Sequence, residues 1–212
     1  MHIPDGFLSV PTLAATGAIS AGTVGVAVKV TAKKIGEKQV PLMGMLAAFI
    51  FAAQMLNFPV AGGTSGHLIG AALCAILIGP WAGVIIMSAV LIAQALIFQD
   101  GGLASLGANI LNMGIVAVFA SYFVYRIATK IMPDSRRNKL TGAAVAGWFS
   151  VMLGALAAAF ELSASGASPF NVVGPAMLGV HALIGIGEGL ITMLVVSAVM
   201  ASRADVLLME RI

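Results

Sequence analysis

The chain has 212 residues, of which 60% are hydrophobic and 9% charged, with a mean hydropathy of +1.05 and a formal charge of +3. A soluble domain carries about 25% charged residues, so this composition excludes a water-soluble globular protein and describes a polytopic membrane protein in a lipid bilayer. The single cysteine, Cys74, excludes an intramolecular disulfide and a cysteine-rich metal cage, and the eleven basic residues lie between apolar runs, which argues against a nucleic-acid partner.

The chain opens with Met1-His2-Ile3-Pro4-Asp5-Gly6-Phe7-Leu8-Ser9 and carries no Lys or Arg before Lys29. The basic n-region and small-residue cleavage site of a signal peptide are missing, so this stretch is expected to be retained. Methionine aminopeptidase removes Met1 only ahead of a small residue, so His2 protects it. A free α-amine is then expected beside an imidazole, once any formyl group is removed. The amine, the backbone nitrogen of His2 and the His2 imidazole can chelate one ion through a five-membered and a six-membered ring. That supplies three nitrogens in a plane, and the tetragonal arrangement of Ni(II) or Cu(II) needs one more. The competing reading is a frayed, solvated end.

Apolar runs of about 20 residues mark transmembrane helices. Seven are expected, approximately over 12–29, 42–58, 67–79, 81–98, 106–127, 142–163 and 173–200, the third being short and stopped by Pro80. The fold class is therefore all-α, one polytopic helix bundle over 1–212: an arm at 1–9, a first helix at about 12–29, then helices over about 42–200. With the N-terminus outside, all eleven Lys and Arg residues fall on inner segments, as the positive-inside rule requires. Shifting the count by one helix would scatter them over both sides. This topology puts Met1, His2, Asp100 and Glu161 on an outer side without cations, a favourable field for an arriving divalent ion.

The loop Pro59 to His67 is rich in glycine, which allows unusual backbone angles and close approach. Thr64 or Ser65 is a candidate cap for the short third helix, with His67 at its N-terminus. There the helix dipole disfavours a protonated imidazole and favours the neutral, ligating form. Cys74 lies seven residues further on, about 10.5 Å along a helix, too far to share an ion with His67. Gln94, Gln99, Asp100, Asn109 and Asn112 cluster near the outer ends of the fourth and fifth helices. Polar groups at that depth need partners. They satisfy one another or orient ligating histidines. His181 and Glu188 share one face of the seventh helix, where a carboxyl must face the bundle or water. They form an internal polar relay or an interhelical tether. H-E-x-x-H, G-x-x-x-x-G-K-[ST] and G-x-S-x-G are all absent from the sequence, which argues against an enzyme.

MHIPDGFLS at the N-terminus, GGTSGHLIGAAL at 62–73, QDGGLASLGANILNMG at 99–114 and HALIGIGEGLIT at 181–192 together resemble the NikM/CbiM family over the whole chain. These are membrane substrate-binding components of energy-coupling factor transporters for nickel and cobalt. The resemblance implies an extra N-terminal helix ahead of a six-helix core. It implies ligation by the Met1 α-amine, the backbone nitrogen and imidazole of His2, and the imidazole of His67. It leaves Thr64, Ser65, Gln94, Asp100 and Asn109 as candidates to support those ligands. It further implies partners: a transmembrane coupling protein, two ATPase subunits that carry all ATP hydrolysis, and in some systems a small accessory membrane subunit. Ala48 and Ala52 are spaced like the small-residue contact of such components. The Pro-Asp-Gly after Met-His-Ile resembles the nickel branch.

The expectation is thus a nickel-binding (alternatively cobalt-binding) import subunit of a prokaryotic plasma membrane, without catalysis or an organic cofactor. Two rivals stand beside it. One is a stand-alone transporter coupling to protons through Glu188. The other is an intramembrane metalloenzyme, which needs an open metal position and a nearby base.

Overall fold

A computed structural model describes residues 1–36, 39–60 and 64–202, with side chains at 58–60 and 64 left undescribed. It contains seven helices: α1 (Val10–Lys34), α2 (Val40–Gln54), α3 (Ala71–Ile78), α4 (Pro80–Phe98), α5 (Leu106–Ile131), α6 (Arg136–Ala164) and α7 (Phe170–Ser202). Five of them are long and apolar enough to cross a membrane, whereas α2 and α3 are shorter.

Local chemistry sets the helix ends. Ser9 caps α1 by accepting the Thr12 N–H, Pro11 sits in its first turn, and Lys33 and Lys34 complete its last turn against the helix dipole. Thr16, Ser20, Ala27 and Thr31 face inward on α1, so its polar and small side chains meet the bundle while its apolar ones face outward. That inversion suits a helix solvated by lipid. Ser20 donates to the Gly107 carbonyl at 2.7 Å, and a side chain at 107 would strike the Gly17 backbone, so α1 packs closely on α5. The α6–α7 pair is joined the same way, with Gly147 against Gly189.

Two departures from the sequence expectation bear on function. The second helix stops at Gln54, and Phe58–Val60 instead pairs antiparallel with Thr64–Gly66 in the register Phe58↔Gly66. The otherwise helical chain therefore carries one small ladder among the described residues. The third helix begins at Ala71, with Gly70 as its cap in the left-handed region (φ +80) and no side-chain capping bond. Ser65 does not cap it, and His67 stands in non-helical chain four residues before it. At eight residues α3 covers only about 12 Å of a hydrocarbon core about 30 Å thick, so non-helical backbone makes up part of this span. Such backbone is tolerated only where protein satisfies its polar groups. Gln54 and Glu188 do so here: Gln54 Nε2 donates to the Ile69 carbonyl at 2.6 Å, and Glu188 accepts from the Ile69 and Gly70 amides.

Both helices that flank the 99–105 loop carry π-helical turns, at Gln94–Phe98 and Ile110–Val116. Such turns often accompany functional sites because they turn side chains out of the regular register. The basic residues Lys33, Lys34, Lys130 and Arg136 end α1 and α5 and begin α6. The N-terminal arm lies at the opposite ends of α1 and α5, so the two features occupy opposite ends of the bundle. Lys38, Arg203 and Arg211 lie outside the described residues.

Candidate metal centre

The N-terminal arm is a docked, hydrogen-bonded segment. Asn109 grips Ile3 from both sides, accepting its N–H at 2.8 Å and donating to its carbonyl at 3.1 Å. The Gly102 N–H donates to the same carbonyl at 3.0 Å. Asp5 then accepts the Leu103 N–H at 3.0 Å and the Ser105 N–H at 3.1 Å, while Ser105 Oγ donates to the Pro4 carbonyl. A side chain at 102 would collide with Asp5, so that close approach requires glycine. Below, the Met1 side chain fills a cavity floored by Gly154, where an added Cβ would come 2.9 Å from the Met1 methyl. Met1 and Ile3 are fully buried and His2 is 4% exposed. The frayed-end alternative does not describe this arm.

This docking brings three nitrogen groups together. The Met1 amine lies 3.3 Å from Ser65 Oγ. The His2 and His67 rings have centroids 4.6 Å apart and planes 26° from parallel. Two imidazoles bound cis to one ion, with metal–nitrogen bonds of about 2.0–2.1 Å, would have centroids about 4.4 Å apart by the same geometry. The observed spacing matches that value.

Hydrogen bonds select the tautomers such an ion requires. His2 Nε2 lies 3.0 Å from Gln94 Oε1, an acceptor, which puts the proton on Nε2 and the lone pair on Nδ1, the chelating atom. His67 Nδ1 donates to the Leu68 carbonyl at 2.6 Å, which leaves the lone pair on Nε2, a buried atom with no protein hydrogen-bond partner. Protonation states agree. Burial drives the Met1 amine well below its usual range, with Asp100 opposing. Burial, then the neighbouring amine charge, pushes His2 down to about 3. Both shifts favour the neutral form, the one that ligates metals.

Asp100 supplies nearby negative charge, with Oδ1 3.3 Å from His2 Nδ1 and Oδ2 accepting from Asn57 at 3.1 Å. Burial raises its pKa, against the amine charge and the Asn57 bond. Among the described residues no group of three or more His, Cys, Asp or Glu side chains is placed to hold an ion.

Of the sequence candidates, Met1, His2, His67, Ser65, Gln94, Asp100 and Asn109 converge. The Thr64 side chain lies outside the described residues. Asn112 turns away to donate to Glu161 at 2.7 Å. His181, fully buried on α7, ties its Nδ1 to the Met177 carbonyl at 2.7 Å. Sequence reasoning missed Asp5, Gln54 and Asn57. Gln54 had a usable signal, a lone amide in an apolar helix, whereas the roles of Asp5 and Asn57 depend on chain brought in from 43 to 100 residues away.

A family model described as "Cobalt uptake substrate-specific transmembrane region" matches residues 2–206. The chain belongs to the CbiM family. This CbiM-family chain is 43% identical over 209 residues to a putative fused nickel transport protein NikMN of Archaeoglobus fulgidus, covering 98% of this chain and 68% of that protein. It is 34% identical to the fused nickel transport protein NikMN of Rhodobacter capsulatus, of which it spans 65%. It is 32% identical to a cobalt transport protein CbiM of Sorangium cellulosum, covering 98% of this chain and 94% of that protein. A crystal structure of a truncated transition metal transporter superposes with a TM-score of 0.89 at 38% identity, covering 95% of this chain and 99% of that one. This CbiM-family protein is thus a multi-pass membrane component of nickel or cobalt transport.

Proposed function

We propose that this protein is the substrate-specific component of an ATP-driven nickel importer of the energy-coupling factor type, working in the plasma membrane of a prokaryote. Cobalt is the alternative cargo. The whole described chain acts as one integral membrane domain with its N-terminus outside. One ion is bound at the outer face by the Met1 α-amine, the His2 backbone nitrogen after loss of its proton, His2 Nδ1 and His67 Nε2. A rigid plane of four nitrogens suits Ni(II).

The observation that carries this reading is the convergence of a buried α-amine and two neutral imidazoles, each ring with its other nitrogen committed to a fixed acceptor. The separation of this site from the basic end of the bundle supports the orientation. ATP hydrolysis belongs to two partner subunits, which act through a transmembrane coupling protein. A small accessory membrane subunit is a further partner, and the greater length of the fused relatives is compatible with one. Ala48 and Ala52, both exposed on α2, are the candidate contact for the coupling protein. Glu188 spends both oxygens on main-chain amides, which favours a tether over the proton-coupled rival.

The deciding experiment is nickel calorimetry on the purified native protein and on a form with one alanine ahead of Met1. The extension moves the amine and leaves every side chain in place. Binding should collapse in the extended form. Equal binding by both would remove Met1 from the ligand set and overturn the site.

A further inference from the structure

We propose that Glu188 is a positioning residue for the metal site, acting on His67 through the Leu68–Ile69 peptide unit. The inference rests on the reading of His67 as a ligand. Glu188 Oε2 accepts the Ile69 N–H at 2.9 Å, and Oε1 accepts the Gly70 N–H at 2.7 Å. The carbonyl of that first peptide belongs to Leu68, and it accepts the His67 Nδ1 proton at 2.6 Å. The carboxyl, the peptide and the imidazole therefore form one continuous chain of hydrogen bonds ending at the His67 Nε2 lone pair.

This chain does two things. It fixes the plane of the Leu68–Ile69 peptide and with it the direction of the His67 ring. It also polarises the peptide, so its carbonyl draws harder on the Nδ1 proton and makes Nε2 a stronger donor. Carboxylates that bond directly to ligating histidines have the same effect, and here a peptide unit stands between.

The surroundings leave the peptide no other setting. Gln54 holds the Ile69 carbonyl from α2 at 2.6 Å. Gly70 turns at φ +80 directly against Ile50, where an added Cβ would lie 2.6 Å from Ile50 Cγ1. Glu188 and Gln54 are both buried, so the restraint is shielded from water. The His67 segment is thereby held between α2 and α7.

The test uses the full chain in detergent, loaded with Ni(II), and reads affinity by calorimetry and donor strength from the visible ligand-field band. His67→Ala serves as the reference, because water then replaces one nitrogen. Glu188→Gln keeps the volume but turns an amide NH2 toward a main-chain N–H. It should weaken nickel binding about 10- to 100-fold, the usual loss when a partner of a ligating histidine is removed, and shift the band toward that of His67→Ala. Glu188→Asp, which keeps two acceptor oxygens on a shorter arm, should shift it the same way by less.

A Glu188→Gln protein that loses thermal stability yet keeps the native band and affinity would make Glu188 merely structural and overturn the proposal. Should that variant not fold, Glu188→Asp decides on the same band, an unshifted one being the overturning result. If His67→Ala itself leaves the band and affinity native, the ligand assignment has failed, and the positioning role falls with it.

Discussion

Gln94 Oε1 faces His2 Nε2 at 3.0 Å from the first residue of a π-helical turn. This contact puts the ring proton on Nε2, so the lone pair lies on Nδ1, the nitrogen that covalent geometry allows to close a six-membered ring with the backbone nitrogen. Gln94→Leu should leave α4 intact and release that choice. Nitrogen NMR of the His2 ring should then show mixed tautomers in the metal-free protein, and nickel affinity should fall about 10- to 100-fold. A single unchanged tautomer would remove Gln94 from this role.

Asp5 ties the arm to the 99–105 loop through two main-chain amides. Asp5→Ala should loosen the arm without touching a ligand. At a net value of about 1 kcal/mol per partly exposed hydrogen bond, exchange of the Ile3 amide should quicken by at least roughly fivefold. Hydrogen exchange followed by mass spectrometry on the N-terminal peptide checks this, with peptides from α6 as the unaffected control.

Gly70→Ala meets two separate penalties. The left-handed backbone costs an alanine about 1–2 kcal/mol, and its Cβ would press on Ile50 at a cost of about 1–3 kcal/mol. The single variant should melt markedly lower than the native protein. Ile50→Ala in the same chain should recover the packing part and leave the backbone part. Strict additivity of the two substitutions would show that the contact with Ile50 is unimportant.

The pH dependence follows from bases whose docked state resists protonation. His2 is lowered from 6.5 to about 3, and the Met1 amine is lowered as well. Between the lowered value and the ordinary one, the undocked arm binds more protons than the docked arm, so docking strengthens as pH rises. The His2 contribution to metal-free stability should be full above its ordinary value and fall as pH drops below about 6.5, by at most roughly 1.4 kcal/mol per pH unit. Thermal unfolding between pH 5 and 8 measures this, and His2→Ala should flatten the slope.

The same shifts set the proton count of binding. Burial favours the neutral amine and the neutral His2 ring, so the proton that has to leave is that of the His2 amide. Calorimetry in buffers of different ionisation enthalpy should return about one proton released per nickel ion. A release near zero would mean that the backbone nitrogen is not a ligand.

Much of the bundle was legible in the residues. Long apolar runs identify helices α4 to α7 because a lipid-facing helix must be apolar over its whole length. Pro80 after Gly79 marks the break between α3 and α4 because proline cannot continue a helix from behind. The reading ran the second helix to 58 and started the third at 67, whereas the second stops at Gln54 and the third begins at Ala71. The Ile69 carbonyl is satisfied by Gln54, and the Ile69 and Gly70 amides by Glu188, 119 and 118 residues away, and no local pattern announces such a partner.

The sequence by itself determined the class, the approximate spans, the asymmetry of basic charge and the chelating potential of Met1 and His2, since each depends on residue type and short spacing. The tertiary structure decided which nitrogens meet, which tautomers they hold and what restrains them. Those properties depend on Asn109 and Asp5 docking the arm and on Gln94 and Glu188 orienting the rings. Each of these contacts spans roughly a hundred residues of chain, so only folding brings the two sides together.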